Sequence, residues 1–169
     1  MVLSRLAQEL KKRQPFERPE EEVYLNLIRS AEWLGHDSDR LLKQYGLSEA
    51  TYNVLRILRG AGGDGLPCQE IGVRMVTRVP DITRLLDRLE GRNLVQRNRT
   101  QRDRRVVLVS ITPQGLELLA SLDQPVNEQS IRQFAHMTRE ELGELNRLLE
   151  KARESVGEPA EHGPTEPNE

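Results

Sequence analysis

Apolar residues recur along much of this chain every three or four positions, the period of helices with one buried face. Leu3, Leu6 and Leu10 place a short amphipathic helix over residues 2–13, closed by Pro15 and Pro19. Pro19 followed by Glu20, Glu21 and Glu22 opens a second helix, since proline suits a first turn and acids suit the positive helix end. Its apolar face is Val23/Tyr24, Leu27/Ile28, Ala31, Leu34, Leu41/Leu42 and Tyr45, and it runs to Gly46, long enough for a scaffold or dimer element. Ser48 caps the next helix, whose apolar side carries Val54, Leu55, Ile57 and Leu58 and which stops in Gly60, Gly62, Gly63 and Gly65.

The segments that follow are shorter. Leu66-Pro67-Cys68 reads as a strand or a connector, and Gln69–Met75 as a short helix with Ile71 and Met75 inward. Thr77–Asp81 is a turn. A helix is predicted over Pro80–Arg92, with Pro80 in its first turn and Ile82, Leu85, Leu86 and Leu89 buried. Arg84, Arg88 and Arg92 recur every four residues and share its other face. Gly91 and Asn93 then let the chain turn. Two β-type runs, Leu94–Arg99 and Val106–Ile111, flank a polar tip over Thr100–Arg105. Thr112-Pro113 opens a further helix through Leu116, Leu119, Leu122 and Val126, in which Pro125 predicts a kink or a break. Thr138 and Glu141 form a capping box for a last helix carrying Leu142, Leu145, Leu148/Leu149 and Ala152. Residues 155–169, with three prolines, two glycines and four glutamates, hold too little apolar surface to order themselves and are expected to be a disordered acidic tail.

Charge changes the picture. The net charge of −2 gives no hint of a polyanion partner, but its distribution does. From Arg74 to Arg105 there are ten arginines against four acids, a balance of +6, while the other residues hold 15 bases and 23 acids, a balance of −8. A basic module in an acidic scaffold is the footprint of a polyanion binder. The module contains no lysine, and arginine's planar fork suits phosphate and guanine edges. A helix followed by an arginine-tipped hairpin is the outline of a winged helix-turn-helix. The expected fold is therefore mainly α with a small β-wing. We divide it into an N-terminal extension (1–18), dimerisation helices (19–46 and 113–154), a winged DNA-binding lobe (47–112) and the tail.

The order of elements resembles the MarR family of bacterial transcription regulators over about Glu20 to Arg153. The run Asp81-Ile82-Thr83-Arg84-Leu85-Leu86-Asp87-Arg88-Leu89-Glu90 is similar to that family's recognition helix. The run from Asp103-Arg104-Arg105 through Thr112-Pro113-Gln114-Gly115 is similar to its wing signature. The resemblance implies a homodimer whose first and last two helices interlock. It also implies recognition helices in successive major grooves of a pseudo-palindromic operator, wings in the flanking minor grooves, and often a small aromatic anion between dimer helices and DNA lobes. Two departures stand out. Residues 1–18 exceed a minimal member and suggest extra dimer contacts, and Asp81 puts an acid where a polyanion is expected.

The site residues follow. Arg78, Pro80, Asp81 and Arg84 are candidates for base edges, and Thr83 and Arg88 for phosphates. Asp81 either accepts from a cytosine amino group or serves the positive helix end. Arg88 either faces an external anion or pairs with Asp87. In the wing, Arg105 is similar to the family's Asp-x-Arg arginine, which implies that Asp103 steers it toward an A·T-rich minor groove; the alternative is that the pair merely stabilises the hairpin, and Arg102 and Arg104 add phosphate contacts. Tyr24, Trp33, Tyr45, Tyr52 and Arg56 are candidates for a ligand cleft, against the plainer reading of core and interface residues. Cys68 reads as an inert, partly buried thiol, with redox sensing as the alternative. His36, His136 and His162 lack a second ligand at metal spacing, and Gly60–Gly65 lacks the Lys-Ser/Thr of a nucleotide loop, so neither a metal, a cofactor nor an enzyme is expected. No apolar run approaches the roughly 18 residues of a membrane span, residues 1–13 are no secretory signal, and one cysteine fits a reducing cytoplasm. The leading reading is a dimeric, sequence-specific DNA-binding regulator, a repressor ahead of an activator, with gating by a small aromatic or anionic ligand as an option. The alternatives are a winged-helix protein-interaction module and a cysteine-based redox regulator.

Overall fold

Local capping chemistry sets most helix ends in the computed structural model, which describes residues 2–99 and 107–154. α1 (Arg5–Glu9) starts where the Ser4 side chain accepts from the Ala7 N–H. It is shorter than the 2–13 span that Leu3, Leu6 and Leu10 suggest, because Lys11 takes a left-handed φ of 55° that a helix cannot contain. Leu6 and Ala7 are buried, and Glu9 meets Arg29 at 2.9 Å, so the extension is fastened to the long helix of its own chain. That helix, α2 (Pro19–Gln44), opens on Pro19 and three glutamates as expected. α3 (Glu49–Ala61) begins at a reciprocal cap. The Ser48 Oγ accepts from the Thr51 N–H at 3.3 Å, and the Thr51 Oγ1 accepts from the Ser48 N–H at 2.8 Å.

β1 (Leu66–Pro67) and α4 (Cys68–Val73) follow, then α5 (Ile82–Glu90). α5 is two residues shorter at each end than the Pro80–Arg92 prediction. The Asp81 side chain accepts from the Arg84 N–H at 2.9 Å, which makes Asp81 the N-cap and leaves Pro80 before the helix. At the other end Asn93 takes a φ of 55° and turns the chain into β2 (Val95–Arg99). β3 (Val107–Ile111) returns antiparallel, and the three strands lie in the order β1-β3-β2. Leu66 and Arg97 both stand opposite Val109, one on each side of β3. The segment read as strand or connector is thus the third strand. Gly65 permits this: its φ is 72°, and a Cβ there would lie 2.6 Å from the Val109 carbonyl oxygen.

The core of this lobe gathers Leu42 and Leu47 with Val54, Leu55 and Leu58 of α3, Ile71 of α4, Leu86 and Leu89 of α5, and Leu94, Val95 and Val109 around the sheet. Leu119 and Leu122 of α6 (Pro113–Phe134) complete it. The joint between wing and α6 is closed by one threonine. The Thr112 Oγ1 donates to the Asn93 carbonyl at 2.7 Å and accepts from the Gly115 N–H at 3.1 Å. Arg59 of α3 grips Asp123 of α6 through two bonds of 2.8 Å. Of the kink or break expected at Pro125, the break does not occur: α6 runs through it. A proline costs the helix one backbone bond, and burial of Leu119 and Leu122 with Val126 against the core holds both sides of that gap.

The chain divides into two units, residues 1–129 and 130–169, so that α6 crosses the division. In the second unit α7 (Arg139–Glu154) begins at the predicted box: the Thr138 N–H donates to Glu141 at 2.8 Å and the Glu141 N–H to the Thr138 Oγ1 at 3.2 Å. None of the residues of α7 is buried. The predicted tail, residues 155–169, lies outside the described residues, as do the wing tip and Val106.

Candidate nucleic-acid interface

α5 is held by its apolar side and presents its charged side. Leu86 and Leu89 are fully buried and Ile82 packs against the core, whereas Thr83, Arg84, Asp87 and Arg88 are exposed. Arg84 and Arg88 sit one turn apart, and among the described residues neither makes an ion pair. Two guanidiniums so placed repel one another, and an external anion relieves that repulsion. Asp87, the neighbour that Arg88 was weighed against, is engaged elsewhere.

Its partner is Arg97, on the middle of β2. The Arg97 Nη1 lies 2.7 Å from Asp87 and 2.6 Å from Glu90, and its Nη2 donates to the Thr83 carbonyl at 3.4 Å. Burial lowers the affinity of this guanidinium for its proton, but the hydrogen bond to Asp87 and the charge of Glu90 outweigh it and raise the pKa above the usual arginine value. Arg99, at the end of the same strand, is exposed and makes no ion pair among the described residues.

The structure corrects one placement. Arg92 does not share the face of Arg84 and Arg88. It lies beyond the end of α5, and its guanidinium donates to the carbonyls of Gly46 and, at 3.2 Å, Tyr45. There it satisfies the carbonyls that the end of α2 leaves open. Arg74 is likewise occupied, by Glu70 at 2.8 Å.

Of the other predicted residues, Pro80 and Asp81 are exposed at the entrance to α5, with the Asp81 side chain occupied by the cap. Arg78 is exposed in the turn before them. That turn is tied to α3, for the Val76 N–H donates to the Asn53 side chain at 2.8 Å. Cys68 is half-buried, and its Sγ lies 3.9 Å from the Thr83 Oγ1. Arg102, Asp103, Arg104 and Arg105 lie outside the described residues.

The five candidate ligand residues fall apart into groups. Arg56 donates to the Tyr52 hydroxyl at 3.1 Å, and Tyr52 and Tyr45 both pack against the core. Tyr24 and Trp33 are exposed on α2, where Arg29 stacks over Trp33 at 4.8 Å from its centroid. Among the described residues no hydrogen bond or ring contact joins Tyr24 or Trp33 to the other three. Nor do three or more His, Cys, Asp or Glu side chains come together as metal ligands there, and no helix is long and apolar enough to cross a membrane.

Arg97, Arg92 and the Arg59–Asp123 pair escaped the sequence reading of roles. Arg97 stands seven residues after Glu90 and ten after Asp87, on a different element, so no helical spacing links them. The only signal was weak: two acids on an otherwise basic helix, followed by a strand with an arginine.

Comparison with known proteins bears on this surface. A family model described as the MarR family matches residues 47–107. The transcriptional repressor IacR of Pseudomonas putida is 30% identical over 112 residues, which is 66% of this chain and 66% of that protein. The crystal structure of a MarR transcription factor from Planctomyces limnophilus is similar with a TM-score of 0.63 and 41% identity, over 80% of this chain and 98% of the other. The crystal structure of a mutant MarR from Escherichia coli complexed with operator DNA is similar with a TM-score of 0.65 and 26% identity, over 80% of this chain and 99% of the other.

Proposed function

This chain belongs to the MarR family of transcriptional regulators, and from that premise we propose that it binds operator DNA sequence-specifically as a homodimer and represses transcription. The observation that carries the reading is the outward pair Arg84 and Arg88 on a capped helix, left without an ion-pair partner among the described residues. Arg84, one turn from the N-cap, is assigned to base edges, and Arg88 and Thr83 to phosphates. Arg105, by its likeness to the family's wing arginine, is assigned to the minor groove. Repression is supported by likeness to proteins such as IacR, which is named a repressor.

The dimer reading is supported by α2. Val23, Tyr24, Leu27 and Ile28 are all more than a third exposed along one stretch of that helix, a contiguous apolar patch of the kind that marks an interface. Gating by a small aromatic anion is the finer part of the reading, supported by the exposed Arg56 beside the Tyr52 ring. Benzoate is the simplest probe of it.

The test is affinity against salt, on a site selected from random DNA and on scrambled DNA. Arg84→Ala is expected to cost about 1–3 kcal/mol on the selected site and to relax sequence preference. Arg105→Ala is expected to weaken binding broadly and flatten a preference for flanking A·T, because the minor groove distinguishes little else. If neither substitution moves either curve, the surface is not a DNA surface and the protein-interaction alternative replaces this reading.

A further inference from the structure

We propose that Arg97 is a positioning residue for DNA recognition: it holds Asp87 and Glu90 so that Arg84 and Arg88 stay outward and, among the described residues, without an ion pair, and it does not itself touch a phosphate. The proposal rests on the DNA reading of α5. Asp87 follows Arg84 by three residues, a spacing at which helical side chains meet and oppositely charged ones pair. In isolation α5 would therefore turn one of its own recognition arginines onto Asp87. It does not, because the Asp87 carboxylate is 2.7 Å from Arg97 on the neighbouring strand. The same nitrogen reaches Glu90 at 2.6 Å, and the other terminal nitrogen reaches the carbonyl of Thr83 at the start of the helix. One guanidinium thus touches α5 at its first turn, its middle and its end, and fixes the helix against the wing strand.

The accessibilities agree. The Arg97 side chain is 26% exposed, against 58% for Asp87 and 40% for Glu90, so the cation is the least exposed of the three. A phosphate approaching α5 has the exposed Arg84 and Arg88 open to it. Without Arg97 it would also meet two uncompensated carboxylates, and like charges brought together at an interface strongly oppose binding.

The experiment is a double-mutant cycle on DNA affinity. Arg97→Ala is made in the natural chain and in the Asp87→Asn/Glu90→Gln background, and each protein is titrated against the selected site over a range of salt. The expected result is a loss of about tenfold or more in the natural background and of less than about threefold where the acids are neutral. An equal loss in both backgrounds, with a salt slope lowered by about one per protomer, would mean a direct phosphate contact and overturn the proposal. So would no loss in either. Should Arg97→Ala fail to fold, Arg97→Gln carries the same cycle, since it removes the charge while keeping much of the side chain's bulk and its donors, and the same outcomes decide. If the natural chain selects no sequence at all, the DNA reading itself has failed, and that is seen before any Arg97 variant is made.

Discussion

Single atoms decide several features of this lobe. Gly115 is an example. A Cβ there would lie 2.3 Å from the Leu94 carbonyl oxygen and 2.7 Å from the Ile111 Cγ1, and the first of these is backbone that cannot swing away. Gly115→Ala is therefore expected to destabilise the chain by about 1–3 kcal/mol, seen as a lower urea midpoint at unchanged slope. A midpoint within error of the natural chain would show that the joint between wing and α6 yields easily. Asp123 is a second case. The Arg59 hydrogen bonds hold its carboxyl below the usual carboxylate range. A group whose pKa is lower in the folded chain adds stability above its unfolded pKa of about 3.9 and loses it as pH falls through the folded value. The pair is half-exposed, so its worth is under about 1 kcal/mol despite the two-bonded geometry. Asp123→Asn should show that deficit in urea melts at pH 7, and the deficit should shrink below about pH 4. A difference independent of pH would sever the pair from the titration.

At the scale of elements, most of the design lies in how helices begin and end. Asp81 caps α5 through the Arg84 N–H, which offers a physical account of an acid at the entrance to a basic surface. Asparagine caps as well as aspartate, and alanine does not. Asp81→Asn is thus expected to keep both fold and sequence preference. Asp81→Ala should lose about 1 kcal/mol of stability and weaken DNA binding with it. The check is fluorescence anisotropy on the selected site and on single-base variants. Relaxed preference at one base pair in Asp81→Asn alone would instead assign the carboxylate to a cytosine. Arg92 does comparable work at the C-terminus of α2, where its two carbonyl bonds tie α5 and the strand after it to the long helix.

For the molecule as a whole, the decisive imbalance is between a filled core in the winged lobe and helices with little to bury. α2 buries only Leu42, and α7 buries nothing, although both carry regular apolar positions. A chain of 19.4 kDa with such faces is expected to sediment at twice that mass at micromolar concentration. Ile28→Glu, placing a charge in the middle of the α2 patch, should shift the equilibrium toward monomer and lower operator affinity, because two linked half-sites bind far better than one. A single-chain mass for the natural protein would end the dimer reading.

Short-range physics accounts for much of this architecture. Helical periods, the Ser48 and Thr138 caps, the proline start of α2 and the concentration of arginine between 74 and 105 all depend on residues within about four positions or on composition alone. These sufficed for the order of elements, the winged outline and the outward face of Arg84 and Arg88. The same rules misplaced the ends of α1 and α5, where a left-handed residue or a cap closed the helix inside its apolar pattern. They also put Arg92 on the wrong surface by extending the four-residue period past that end. Which charges are available depends on contacts between distant parts of the chain. Arg97 with Asp87 and Glu90, Arg92 with the end of α2, Arg59 with Asp123, and Thr112 with Asn93 join elements whose proximity no local spacing encodes. An ionic or hydrogen-bonded partner is chosen by distance in space, and that distance exists only once the core has closed around Leu55, Leu58, Leu86 and Leu89.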